Sequence, residues 1–179
     1  MKNLLIILTI FCVSGAYAQG QLQNEASGNI TYASGHVMQL AEAFPADKYS
    51  WVPMEGVRST AGVFAHIISA NYFFASKLGA TIPEGVNMQT LEQDLTEKED
   101  IQAELKQSYD VLLGAIMETK DDALAETVEY PFPGEFTNMS SILIALSHTN
   151  EHLGQLIAYA RMNGITPPWS MAMEEGEGD

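Results

Sequence analysis

The sequence predicts an all-α protein, a four-helix bundle, on three observations. Four stretches carry apolar residues at helical spacing, each bounded by a cap or a stop. The segments between them hold Pro, Gly and polar residues. No alternating run is strong enough to build a sheet. Helices with apolar stripes bury them against one another, and four of them joined this way make a bundle.

The first stretch is set apart from that fold. Lys2 is a short positive start, Leu4 to Val13 an apolar run too short to span a bilayer, which needs roughly 20 residues. Ala16-Tyr17-Ala18 is a small-x-small cleavage site. Residues 1–18 therefore read as a signal peptide, and the product is expected to be exported, periplasmic or secreted. Cys12 lies inside the apolar run without a lipoprotein pattern before it, so no stable membrane anchor is expected after cleavage. No cysteine then remains, which removes disulfides, thiolate metal sites and cysteine nucleophiles together. The domain is expected to span 19–170. An acidic disordered tail, 171–179, follows it.

Lys plus Arg number 8 and Asp plus Glu 23, a net charge of −15. Such a surface repels nucleic-acid phosphates and anionic lipid, so neither is expected as a partner. A small-molecule substrate or ligand remains.

Residues 19–28 are polar and read as frayed. From Asn29, Ile30, Ala33, Val37, Leu40, Ala41 and Phe44 recur as a first amphipathic helix, stopped at Pro45. His36 sits off its strongest apolar line and reads as solvent-facing or capping. Ser59 caps a second helix that runs to about Leu78 and ends at Gly79. Val63, Phe64, Ile67, Ile68, Tyr72, Phe73 and Phe74 make it apolar all round, hence central, with His66 among them. Residues 81–89 read as loop.

Thr96-Glu97-Lys98-Glu99 reads as a capping box opening a third helix to about Glu118. Ile101, Leu105, Tyr109, Leu112, Leu113 and Ile116 fall on one of its faces. Residues 121–137 are irregular, with a short extended piece at 127–130. Thr137 or Asn138 caps the fourth helix, which runs to about Met162. Asn163-Gly164 stops it, and Pro167-Pro168 is expected to forbid resumption. Met38, Met54, Met117, Met139 and Met162 read as gap-filling core and loop residues.

The fourth helix carries His148 and His152, four residues apart. That spacing puts both imidazoles on one face, one turn apart, where they can share one metal ion. The second and fourth helices are the most apolar and are expected to be neighbours across the core.

The chain resembles the DinB/YfiT-like superfamily of four-helix metalloproteins over nearly all of the domain. The resemblance rests on Trp51-Val52-Pro53 before Val57-Arg58-Ser59, and on Phe64-Ala65-His66-Ile67. It continues in Ser147-His148, Glu151-His152-Leu153-Gly154-Gln155, and Tyr159-Ala160-Arg161 with Gly164 and Pro167-Pro168. It implies that His66, His148 and His152 bind a divalent ion and that the protein associates as a homodimer. Many members have Arg where Leu153 stands here, which leaves any role of that arginine in doubt. Some members transfer a low-molecular-weight thiol or use one in isomerisation.

Three neutral imidazoles leave a coordination position open, as catalytic zinc sites do. Zinc and nickel come first as the ion; imidazole suits iron and copper as well. Glu151, Gln155 and Tyr159 are candidates to fix a histidine tautomer or hold a substrate, with Asn150 a further one. The catalytic residues are unknown. The expected function is a metal-dependent hydrolase or transferase acting on a small molecule. The alternatives are a non-catalytic metal- or ligand-binding bundle and a purely structural one. Export counts against thiol transfer, because such thiols are kept reduced in the cytoplasm.

Overall fold

The computed structural model describes residues 20–170. The signal-peptide stretch and the acidic tail, on which two of the expectations fall, lie outside the described residues. Four long helices, α1 (Gln21–Ala43), α2 (Thr60–Lys77), α4 (Lys98–Glu118) and α5 (Asn138–Met162), are joined by turns and one short helix, α3 (Leu91–Asp94). α1 and α2 each pack against both α4 and α5. The order around the bundle is therefore α1, α4, α2, α5, and the expected α2–α5 neighbourhood is formed. Among the described residues no helix is long and apolar enough to cross a membrane.

The apolar periodicity settles which faces turn inward. Ile30, Ala33, Val37, Leu40 and Ala41 of α1 are buried, as are Ile101, Leu105, Leu112 and Ile116 of α4. α2 contributes Val63, Phe64, Ile67, Ile68 and Tyr72, all fully buried. Each large apolar side chain taken out of water contributes about 1.5–3 kcal/mol. Of the methionines expected as gap-filling core and loop residues, Met54 lies in the loop before α2, whereas Met38, Met117, Met139 and Met162 stand on helix surfaces, 37% to 62% exposed. Branched and aromatic side chains already fill the interior.

The connector from α1 to α2 is pinned at several points. Tyr49 stacks on Phe64 with ring centroids 5.7 Å apart. Its hydroxyl donates to the Ala41 carbonyl at 2.7 Å. The amides of Thr60 and Ala61 donate to the carbonyls of Trp51 and Tyr49. The Ser59 hydroxyl accepts from the Gly62 amide at 3.0 Å, the N-cap expected there. This fixes Arg58 at the mouth of α2.

Several expectations need correction. α1 begins at Gln21, where fraying was expected. Its first turn is tied down by Asp121, whose carboxylate oxygens accept from the Gly20 amide at 2.9 Å each. Gln23 is buried and donates to the Thr119 carbonyl and to Asp121. The capping box expected at Thr96 does not form, and Glu97 is the N-cap of α4 without a side-chain cap bond. The true box opens α5, where Thr137 and Ser140 bond each other's backbone amides at 3.2 Å. The short extended piece expected at 127–130 begins as β1 (Thr127–Val128), and it pairs antiparallel with β2 (Phe136–Thr137), a ladder that was not expected. α5 does stop at Asn163-Gly164, with Gly164 at φ 72° and Ile165 N–H returning to the Ala160 carbonyl. Pro167-Pro168 does not forbid helix: 168–170 are helical, since a proline at the first helical position loses no backbone bond.

Asp121→Ala should release the first turn of α1. The expected loss is about 1 kcal/mol for a partly exposed charge-assisted anchor. Hydrogen exchange at residues 21–26 should quicken; unchanged exchange there would show that packing alone holds the turn.

Candidate metal centre

His66 stands on α2, and His148 and His152 on α5. The seam between these helices brings one donor nitrogen from each within 4.8 Å of the others. His66 Nε2 and His148 Nε2 lie 3.1 Å apart. Two nitrogens bound to one tetrahedral ion at 2.0–2.1 Å are about 3.3 Å apart, so this pair is close to ligand spacing. His152 is buried, and His66 and His148 are half-buried. The three residues whose convergence was expected are thus together. The fourth histidine, His36, is elsewhere, packed between Tyr32 and Trp169 at centroid distances of 4.5 and 4.1 Å.

Proton positions follow from the partners. Glu92 Oε1 lies 2.6 Å from His66 Nδ1. Burial by itself would raise the Glu92 carboxyl, but hydrogen bonds from Arg58 and His66 outweigh it and hold it below the usual carboxylate range. An ionised carboxylate only accepts, so His66 Nδ1 carries the proton and Nε2 turns a lone pair toward the other rings. His152 Nδ1 lies 2.8 Å from Gln155 Oε1. Gln155 Nε2 donates to Tyr159 Oη at 3.1 Å, and Tyr159 Oη donates to the Arg58 carbonyl at 3.1 Å. His148 is packed instead by its ring against Phe74, 5.7 Å between centroids.

The two α5 rings are held neutral. Burial, then His152, His66 and Arg58, push the His148 imidazole down to about 3. Burial and the nearby His66 also lower His152, against an opposing hydrogen bond to Gln155. Two imidazolium charges at this separation would repel by about 3 kcal/mol at an effective dielectric near 20. A divalent ion requires deprotonated imidazole nitrogens as its donors. The donor set therefore fits such an ion, and its all-imidazole character leaves the choice of ion open.

Of the three candidates named beside the histidines, Gln155 lies within hydrogen-bond distance of His152, and Tyr159 reaches His152 only through Gln155. Glu151 is exposed and hydrogen-bonds none of the three rings. It lines, with Glu135, Phe136, Leu143, Ser147 and His148, an open groove of about 450 Å³ that runs along α5 to the centre. Asn150 is turned away, donating to the Leu146 carbonyl.

Glu92 was missed altogether. It sits on α3, which is held by Leu91 in the core and by the Ser69 hydroxyl donating to the Met88 carbonyl at 3.1 Å. A four-residue helix shows no period, and the only signal was one apolar residue among polar ones.

A family model described as the DinB superfamily matches residues 33–156. No protein of curated function matches the chain. Among solved structures it is similar to a DinB-like protein from Bacillus cereus, at 18% identity and a TM-score of 0.69 over 81% of this chain and 95% of that one. A DinB-like protein from Bacillus subtilis is similar at 22% identity and 0.63, over 80% and 94%. A conserved protein from Enterococcus faecalis follows at 12% and 0.60, over 78% and 95%. At these identities the likeness to the solved structures is one of fold.

Acid should act on the folded state through these rings. His148 and His152 protonate less readily folded than unfolded, so between about pH 6.5 and about pH 3 the unfolded chain binds more protons. Their contribution to stability is complete above about pH 6.5 and is lost as the pH falls below it. Urea midpoints measured with chelator present should fall over that window, and His148→Gln should flatten the fall. An identical pH profile for the variant would mean that the ring is not held neutral by the fold.

Proposed function

The chain belongs to the DinB superfamily, and from that premise we propose that it is an exported divalent-metal protein whose ligands are His66, His148 and His152. The observation that carries the reading is the convergence of three imidazole donors within 4.8 Å of one another. On this reading it is a metal-dependent enzyme, of hydrolase or transferase type, acting on a small molecule. A bound ion would supply Lewis acidity and lower the pKa of a water or thiol held at its open position. Zinc or nickel is the ion expected.

The chain's own residues do the rest. Glu92 and Gln155 hold the Nδ1 protons of His66 and His152, so that both Nε2 atoms stay aimed at the centre. Phe136 and Leu143 give the groove beside His148 an apolar lining, and Glu135 and Glu151 give it acidic edges. A small molecule entering there would meet His148 first. In an exported protein, hydrolysis fits better than thiol transfer, because the oxidising exterior does not maintain free thiols. Association as a homodimer belongs to the same proposal, supported by the family and by the commonness of two-fold dimers.

Two measurements test the reading. Zinc titration at fixed pH should show His66→Ala, His148→Ala and His152→Ala each weakened beyond the roughly 10–100-fold that supporting partners carry. His36→Ala should bind as the unaltered protein does. Affinity should also fall on acidification, since each ligand must shed its proton to bind. Equal damage from His36→Ala and His148→Ala would defeat the ligand set. For export, mass spectrometry of the protein recovered outside the cytoplasm should give an N-terminus at Gln19; intact Met1 on a cytoplasmic product would refute it.

A further inference from the structure

Two hydrogen-bonded arms leave the histidines, and both end on one residue. The first runs from His66 Nδ1 to Glu92 and on to Arg58, whose Nε donates to Glu92 Oε2 at 2.8 Å and whose second terminal nitrogen reaches Oε1 at 3.4 Å. The second runs from His152 Nδ1 through Gln155 and Tyr159 to the main-chain carbonyl of Arg58.

The direction of the second arm is forced from its far end. A carbonyl can only accept, so Tyr159 must donate to it. Tyr159 oxygen then accepts from the Gln155 amide nitrogen. That leaves Gln155 Oε1 facing His152, and an oxygen there requires the proton on Nδ1. The lone pair of His152 is thereby placed on Nε2 by a backbone atom three bonds of the network away. In the first arm the guanidinium fork donates to both oxygens of Glu92 and holds Oε1 against His66 Nδ1, where an accepting oxygen sets the same tautomer on His66. Arg58 is the only residue common to both arms.

We infer that Arg58 is the positioning residue of the centre, setting the His66 tautomer with its side chain through Glu92 and the His152 tautomer with its carbonyl through Tyr159 and Gln155. This rests on the proposal that the histidines are ligands. The Arg58–Glu92 pair is 45% and 34% exposed, so as a surface ion pair it adds little to folding. Its effect is on orientation. The fold supplies the means: the pinned connector before α2 fixes the Arg58 backbone, and Trp51 packs edge-on against Tyr159 at 5.3 Å, which holds the phenol beside that carbonyl. α3, otherwise a four-residue detour, has the office of delivering Glu92 between Arg58 and His66.

The test compares zinc affinity with the imidazole nitrogen-15 resonances of the metal-free protein, which report tautomers directly. Arg58→Ala and Glu92→Gln should each lower zinc affinity by roughly 10–100-fold. The double variant should be no worse than the poorer single one, because both cut one arm. Tyr159→Phe cuts the other arm, so its loss should add to that of Arg58→Ala. Arg58→Lys should restore part of the affinity, being a point charge without the fork. Arg58→Ala should mix the His66 tautomers and leave His152 alone, while Tyr159→Phe should do the reverse; a merely structural role moves neither. Near-UV circular dichroism confirms that each variant folds. Arg58→Ala with unaltered affinity and unaltered His66 resonances, while His66→Ala has lost binding, would overturn the inference. If His66→Ala itself bound zinc normally, the ligand assignment would be what failed, and the inference would fall with it.

Discussion

Everything at the centre depends on the seam between α2 and α5. His66 lies between Ala65 and Ile67, both fully buried, and His152 precedes Leu153 on a helix that buries Ile142, Ala145 and Leu156. Each apolar side chain in that seam contributes about 1.5–3 kcal/mol on burial. Drawing three imidazoles out of water beside them costs far less, provided the rings are neutral and their Nδ1 protons are satisfied. The packing energy therefore pulls the histidines together and the polar arms make the convergence tolerable. Without the arms the buried His152 donor would be stranded, at about 1–3 kcal/mol, and the half-buried His66 donor at less.

Neutrality and convergence together explain why the site is poised for a cation. His66 Nε2 presents a lone pair, so the 3.1 Å contact with His148 Nε2 is either a hydrogen bond from His148 or a pair of ligands on a shared ion. The same two atoms serve both arrangements with little movement. A surface carrying −15 favours the approach of a divalent cation over that of an anion. The single arginine at the mouth is bound to Glu92 and so does not oppose that approach as an isolated charge would.

The sequence made the seam legible because its signals are local. The four-residue spacing of His148 and His152, the Ser59 cap, the Gly164 stop and the apolar run of α2 each specify geometry within a few residues. The same local logic misplaced the capping box, since Thr96-to-Glu99 has the right letters while Thr137 and Ser140 make the bonds. It left the start of α1 frayed because what holds Gln21 in helix is Asp121, about a hundred residues on. The helix methionines went wrong for a related reason. Thioether side chains suit gaps, and nothing in composition says whether gaps remain once Phe, Ile and Leu have packed. Glu92 and the Arg58 carbonyl were invisible on two counts. One sits on a helix too short to show a period, and the other is a backbone atom that any residue would carry.

That second count bears on how the centre is built. Glu151, one of the candidates beside the histidines, is turned by the helix outward to the groove. Residue 155, three further on, returns to the same face as 152, and 159 continues the line. The supporting arm therefore climbs α5 at helical spacing until it meets the α2 entrance, where the chain before Ser59 offers a carbonyl not used by the helix. The other arm reaches that same residue by its side chain. Two of the three imidazoles are locked this way. The third, His148, is held by Phe74 and faces the groove. The asymmetry divides the centre into a fixed side and an approach side, and it places any ligand of the groove against the one histidine whose outer nitrogen the fold has not tied to these arms.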